Sequence, residues 1–149
     1  MTVVGFTGTW RGMTLEQIRA VKALLEELDP TDVHHGDCIG ADENFDDLAR
    51  DHGAHRVAFP GTDSRGRSPK RAYCLTEHER PAAPYLERNR AIVDSSDYLV
   101  ACPGEFVERT RSGTWSTVRY ARGRCWTYLV TPDGAVTVTS PLRESEATS

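Results

Sequence analysis

Two glycine-bearing turns carry the residues of this 149-residue chain most able to do chemistry. The first is His35-Gly36-Asp37-Cys38-Ile39-Gly40-Ala41-Asp42, and the second is Arg111-Ser112-Gly113-Thr114-Trp115-Ser116-Thr117. Each lies between an apolar run and a helical pattern. Glycine accepts positive φ and lets a ligand approach the backbone amides. A helix starting just after such a turn directs unpaired N–H groups and partial positive charge at whatever sits there. That combination suits anions, phosphate above all, and two such turns imply a nucleotide-sized ligand.

Each turn also has a plainer reading. Ser112 and Thr114 are favoured helix caps in their own right, and Asp42 suits a helix start. The spacing of Gly36 and Gly40 departs from the dinucleotide fingerprint, and a third glycine is missing. The ligand-binding reading gives Asp37 or Asp42 a ribose hydroxyl. Arg88-Asn89-Arg90 reads either as a solvated helix face or as an arginine clamp on phosphate, with Asn89 fixing a loop or reading a base. His34 and His35 alternate along a strand and no histidine–carboxylate set completes a site, so they read as structural and no metal is expected. Trp10 and Trp115 fall beside the ligand, where stacking on a base competes with core packing.

Elements that position these residues follow from periodicity. Residues 2–7 form a β-rich run. Thr14 with Gln17 makes a capping box, and Leu15, Ile18, Val21, Leu25 and Leu28 give the helix an apolar face that Pro30 ends. Strands follow at 32–36, 55–59, 97–102 and 125–130, with helices at 42–52, 84–95 and 114–122. Asp133-Gly134 predicts a hairpin to 135–139. Residues 60–84 are polar and aperiodic and carry five cations; they read as a long functional loop, a candidate lid over the ligand.

This alternation predicts an α/β fold, a single Rossmann-like, doubly wound and mainly parallel sheet of order 3-2-1-4-5 with an antiparallel edge hairpin. It spans residues 1–140, with 141–149 as a tail. Ligands bind such sheets where the order reverses. That crevice brings together Gly8, Thr9 and Arg11 after the first strand with Gly36, Asp37, Gly40 and Asp42, and with Ser112, Gly113, Thr114 and Thr117.

Composition bounds the function. Charged residues make up 27% and the net charge is −4, which weighs against broad nucleic-acid binding. The four cysteines are widely spaced, so a zinc site is not expected and free thiols in a reducing cytoplasm are. There is no apolar run near the ~20 residues that span a bilayer, and the first residues lack the pattern of a signal peptide.

Together these motifs resemble the SLOG superfamily, a Rossmann-like group that includes the DNA-processing protein A and Lonely-Guy phosphoribohydrolase families. The resemblance covers roughly residues 3 to 130. It rests on Gly5-Phe6-Thr7-Gly8-Thr9, the Gly36–Asp42 turn, Glu87-Arg88-Asn89-Arg90, Ser95-Ser96-Asp97 and Ser112-Gly113-Thr114, with Ala121 on the following helix. It implies a bound nucleotide or nucleotide-derived ligand, no further cofactor, and a homodimer or higher homo-oligomer. Lonely-Guy enzymes carry Pro-Gly-Gly-x-Gly-Thr-x-x-Glu, whose glutamate takes part in cleaving the N-glycosidic bond. Here an insertion separates Pro103-Gly104 from Gly113-Thr114, and Thr117 stands at the glutamate position. Thr117 supplies no charge to stabilise a ribosyl cation or orient water. Ligand binding is therefore the first expectation. A nucleotide N-glycosidase is the alternative, and needs a relocated carboxylate such as Asp37, Asp42, Glu87 or Glu105. Single-stranded DNA binding, as the likeness to DNA-processing protein A implies, is a third reading that the negative charge disfavours.

Overall fold

Thr14 starts the first helix in the manner its spacing to Gln17 requires. In the computed structural model, Thr14 Oγ1 accepts from the Gln17 amide at 3.0 Å, and the Thr14 amide donates back to Gln17 Oε1 at 3.0 Å. The structure describes residues 1–141; residues 142–149, nearly all of the expected tail, lie outside the described residues.

The elements in chain order are β1 (Val3–Gly8), α1 (Leu15–Leu28), β2 (Asp32–His35), α2 (Ala41–His52), β3 (His55–Ala58), β4 (Gly61–Thr62), β5 (His78–Glu79), β6 (Ala83–Pro84), α3 (Tyr85–Asp94), β7 (Tyr98–Cys102), α4 (Gly113–Ala121), β8 (Trp126–Val130) and β9 (Val136–Thr139). The main sheet has the order β5-β3-β2-β1-β7-β8-β9, while β4 and β6 pair separately. Every neighbour in the main sheet is parallel except the β8–β9 hairpin. The expected order 3-2-1-4-5 is therefore present, with the hairpin at one edge.

Three two-residue strands, β4, β5 and β6, were not expected. Residues 60–84 read as a loop, yet β5 within them extends the sheet beyond β3. Two-residue strands carry no alternation for a sequence reading to detect.

Helices cover both faces of the sheet. Val21, Leu24 and Leu25 of α1 and Ala41, Phe45 and Ala49 of α2 bury against Val4, Phe6, Val33 and Val100. Phe6 and Phe45 stack with ring centroids 4.3 Å apart. Full burial of each such ring contributes roughly 1.5–3 kcal/mol. On the other face, Ile92 and Val93 of α3 and Ala121 of α4 pack on Val57 and Leu99.

Buried polar groups fix where the elements end. Gln17 Nε2 donates to the Pro103 and Val130 carbonyls, each at 2.9 Å. It thereby ties the start of α1 to the carboxyl ends of β7 and β8. His35 accepts from the Asp37 amide at Nδ1, so its proton sits on Nε2 and is donated to Asp46 Oδ1 at 2.9 Å. Arg56 holds the other oxygen of Asp46 at 2.8 Å. Burial opposes the charged form of Asp46, but the His35 hydrogen bond and the Arg56 charge outweigh it and hold the carboxyl below its usual range. His34 and His35 both have structural partners: His34 Nδ1 lies 2.9 Å from Ser95 Oγ. All four cysteines are free. Among the described residues, no helix is long and apolar enough to cross a membrane.

Candidate functional site

The sheet order reverses between β1 and β7, so the loops leaving these strands diverge and open a crevice at the carboxyl edge. A cleft of about 580 Å³ lies there, within the size range of small-molecule sites. Gly8 and Thr9, the Gly36 turn, α3 and the start of α4 all contribute to its lining.

The start of α4 is open. Ser112 is extended, and its Oγ accepts from the Trp115 amide at 3.2 Å. The amides of Gly113 and Thr114, first in the helix, have no partner among the described residues. Nothing lies within 4 Å of where a Cβ on Gly113 would sit. Arg109 and Arg111 line the same cleft, and neither forms an ion pair among the described residues. The loop carrying them is braced from behind. Arg119 donates to Glu108 and to the carbonyls of Arg109 and Thr110, and Arg122 donates to Glu108.

The Gly36–Asp42 turn is closed over residues 37–41, while the Asp42 amide has no partner among the described residues. The amide of Asp37 donates to His35 Nδ1, that of Cys38 to Asp42 Oδ2, that of Ile39 to the Lys70 carbonyl, that of Gly40 to Glu43 Oε1, and that of Ala41 to the Thr9 carbonyl. Gly40 has φ +90°, and a Cβ there would overlap the Trp10 carbonyl. Gly36 admits the Arg88 guanidinium against the backbone, where a Cβ would overlap it and sit 3.0 Å from Asp42 Oδ2.

Asp37 anchors the long loop. Fully buried at φ +53°, it accepts Arg71 Nε at 2.9 Å and the Cys74 amide at 2.8 Å, and its carbonyl accepts the Ala72 amide at 2.8 Å. Arg71 also pairs with Glu79. The segment expected as a lid docks its residues 70–74 on the glycine turn and contributes Pro69 and Lys70 to one wall of the cleft. Lys70 from that wall lies over the Trp10 ring, 4.6 Å from its centroid, with Arg11 at 5.6 Å. Trp10 is 52% exposed at the rim, whereas Trp115 is buried in the core.

Arg88 lies in the cleft at 7% exposure. Its Nη1 donates to the Gly36 and Phe59 carbonyls at 2.6 and 2.9 Å, and its Nε to Asn89 Oδ1 at 2.7 Å. Its Nη2 has only the Cys38 sulfur, at 3.7 Å. Arg88 forms no ion pair among the described residues, and the nearest carboxylate acting on it is that of Asp42 beside the same turn.

Asp42, at 5% exposure, also lines the cleft. Burial pushes its carboxyl above the usual range against the attraction of His35 and Arg88. Burial and the Asp42 charge push the Cys38 thiol up as well.

Several expected site residues fall elsewhere. Arg90 is two positions from Arg88 and points away, as residues i and i+2 of a helix do; its guanidinium lies 5.2 Å from the Tyr120 ring centroid. Glu87 lines a separate hollow beside Arg80 and Pro81. Thr117 is buried one turn into α4, where its Oγ1 donates to the Gly113 carbonyl at 2.8 Å. Asp37 and Gly40 shape the turn from beneath and are not part of the cleft lining. Gly8, Thr9, Arg11, Gly36, Asp42, Arg88, Asn89, Ser112, Gly113 and Thr114 do come together around it. Lys70 and Arg109 join them. Arg109 was readable as a cation just ahead of a helix start, but Lys70 carries no local signal. One trio of close metal-type donors occurs among the described residues, His35, Asp46 and Cys74 within 4.8 Å. Both Asp46 oxygens there already serve His35 and Arg56.

No family model and no curated protein matches the chain. Two solved structures share its fold. The structural-genomics target TM1055 aligns with a TM-score of 0.57 at 15% identity, over 83% of this chain and 71% of that one. DNA processing protein A from Streptococcus pneumoniae aligns with a TM-score of 0.59 at 20% identity, over 81% of this chain and 47% of that one. This chain thus spans about half the length of the latter protein. Each likeness is one of fold.

Proposed function

We propose that the protein binds a nucleoside phosphate, or a ligand derived from one, with its phosphate at the start of α4. One observation carries this reading. The unpartnered amides of Gly113 and Thr114 open into the same cleft as Arg109, Arg111 and Arg88, none of which forms an ion pair among the described residues. Backbone donors and a helix dipole suit a phosphate, and arginines supply planar donors of matching geometry. Trp10, half exposed at the rim, is a ring on which a base can stack in place of Lys70 or Arg11. The likeness to DNA processing protein A agrees with a nucleotide-related ligand.

Asp42 supports a second reading, hydrolysis of the N-glycosidic bond. It is a cleft carboxyl that burial holds above its usual range, which is the condition of a general acid. Of the candidates Asp37, Asp42, Glu87 and Glu105, Asp42 and Glu105 reach the cleft, and Glu105 is engaged by Trp115 and Arg11. Base release from nucleoside monophosphates, absent in Asp42→Asn, is its test.

The binding reading is tested by a thermal-shift screen of nucleoside mono- and diphosphates, ADP-ribose derivatives and cyclic nucleotides, with Gly113→Asp as the control. The aspartate has room for its Cβ yet sets a carboxylate in the anion's place. A ligand at a hundredfold excess over its dissociation constant stabilises by ~2.7 kcal/mol. A shift in the parent protein that disappears in Gly113→Asp is expected. A shift that survives the substitution moves the phosphate elsewhere, and no shift with any compound rejects the reading.

A further inference from the structure

The two edges of the main sheet are built differently. At one edge β5 is two residues long, and its Glu79 pairs with Arg71. A short, charged strand is a poor template for further pairing. At the other edge β9 reads Val136-Thr137-Val138-Thr139, exposed along its whole length and without a strand on its outer side among the described residues. Neither β9 nor its neighbour β8 carries a charged side chain. The hairpin register decides which backbone groups face outward. The Thr131 amide donates to the Ala135 carbonyl at 3.0 Å, and Leu129 and Thr127 stand opposite Thr137 and Thr139. Hydrogen-bonded positions alternate along an antiparallel pair, so Thr137 and Thr139 bond to β8. The N–H and C=O groups of Val136 and Val138 therefore point out of the sheet edge. The side chains of Val136 and Val138 share a face with Trp126, and all three are exposed.

These outward groups are complementary to themselves. We propose that β9 pairs antiparallel with β9 of a second copy of this chain, about a two-fold axis at Thr137. Val136 of each copy then stands opposite Val138 of the other, and every outward N–H meets an outward C=O. The main sheet continues from one copy into the next. The valines of both copies form one apolar strip flanked by Trp126, and no charge on β8 or β9 opposes the approach. A second copy is the occupant because the strand satisfies all of its own outward groups in this register, whereas a foreign strand needs a matching sequence. An isologous pairing of this kind closes at two copies and leaves no open edge to grow from. The resemblance in motifs implies a homo-oligomer without a surface, and this edge supplies one. It lies beyond β8, away from the crevice between β1 and β7, so it is independent of the phosphate site.

Sedimentation velocity on the full chain across a concentration series tests this. A dimer with a dissociation constant of about 10–100 μM is expected, since so short a strand pair makes a small interface. Val138→Pro removes an outward amide and leaves the bonds to β8 in place, while Val138→Lys sets a charge on the edge. Each is expected to weaken dimerisation about tenfold or more, with the circular dichroism of the parent retained. Thr137→Cys places two thiols across the axis at a non-hydrogen-bonded pair, where Cα atoms about 4.5 Å apart are within reach of a disulfide. It is expected to cross-link into a dimer in oxidised glutathione, beyond the level of the parent with its four native cysteines. Val138→Cys, which faces Val136 of the second copy, is not. A chain that stays monomeric throughout the series, a dimer indifferent to both Val138→Pro and Val138→Lys, or a cross-link at Val138→Cys in place of Thr137→Cys overturns the inference. None of these outcomes touches the phosphate site, which stands or falls by its own screen.

Discussion

The two glycine turns at the carboxyl edge of the sheet look alike in sequence and differ in what their amides do. In the turn before α2, the five amides of residues 37–41 all donate inside the protein. In the turn before α4, the first two helix amides have no partner among the described residues, whereas at the start of α2 the first, Ala41, is bound and only the next, Asp42, is without one. The first turn is a joint. It is gripped by Arg71, the Lys70 carbonyl and the Thr9 carbonyl, and it presents the Asp42 carboxyl to the cleft. The second is an open cradle flanked by unpaired arginines. Glycine is used differently in each: at Gly40 it is required by positive φ and a backbone in contact, whereas at Gly113 it leaves room. A glycine turn before a helix is thus a candidate anion site only while its amides remain unclaimed.

The largest effect that would sharpen this contrast is on stability. Asp37→Ala removes a fully buried carboxylate from Arg71 and the Cys74 amide, and about 3–5 kcal/mol should be lost, as when one partner leaves a buried pair. Urea denaturation measures it; a loss below 1 kcal/mol would mean the long loop is not pinned there. Next comes a paired substitution. Gly40→Ala forces a side chain into φ +90° and against the Trp10 carbonyl, costing about 3 kcal/mol. Gly113→Ala meets nothing within 4 Å and should change stability by about 0.5 kcal/mol or less. Equal costs for the two would erase the distinction between joint and cradle.

Smaller effects concern pH. Burial lowers His34 from 6.5 to about 4. Its neutral form is therefore favoured in the fold, and the unfolded chain takes up the proton first. The corresponding stability is present above pH 6.5 and is lost as pH falls toward 4. Unfolding midpoints across that window should fall less steeply in His34→Gln than in the parent; parallel slopes would show that His34 titrates as it does in the unfolded chain. Asp42 has the opposite sign, since its raised carboxyl makes ionisation costly in the fold as pH rises above 3.8. Asp42→Asn should accordingly stabilise the protein modestly at neutral pH, as expected of a residue kept for binding rather than for the fold.

Much of this architecture is legible in the chain. The Thr14–Gln17 capping box, the apolar stripe from Leu15 to Leu28 and the Asp133-Gly134 turn are local signals, and each element they predict is present. The strand order follows from right-handed crossovers. The site is less legible because its character depends on partners distant in sequence. Lys70 and Thr9 close the first turn with carbonyls that no local pattern announces, although Glu43, three residues after Gly40, was a readable part of that closure. Arg88 and Arg90 read alike as cations, and only the helical turn sends one into the cleft and the other onto Tyr120. The segment 60–84 hid its role because it folds by docking on Asp37, not by burying a periodic face.

The central claim is that an anion sits on the α4 turn and not on the α2 turn. Titration of the isotopically labelled protein with inorganic phosphate, followed by amide nuclear magnetic resonance, tests it directly. The account predicts saturable shifts at Gly113 and Thr114, with residues 37–41 nearly unmoved. Shifts centred on residues 37–41, or none at either turn, would contradict it.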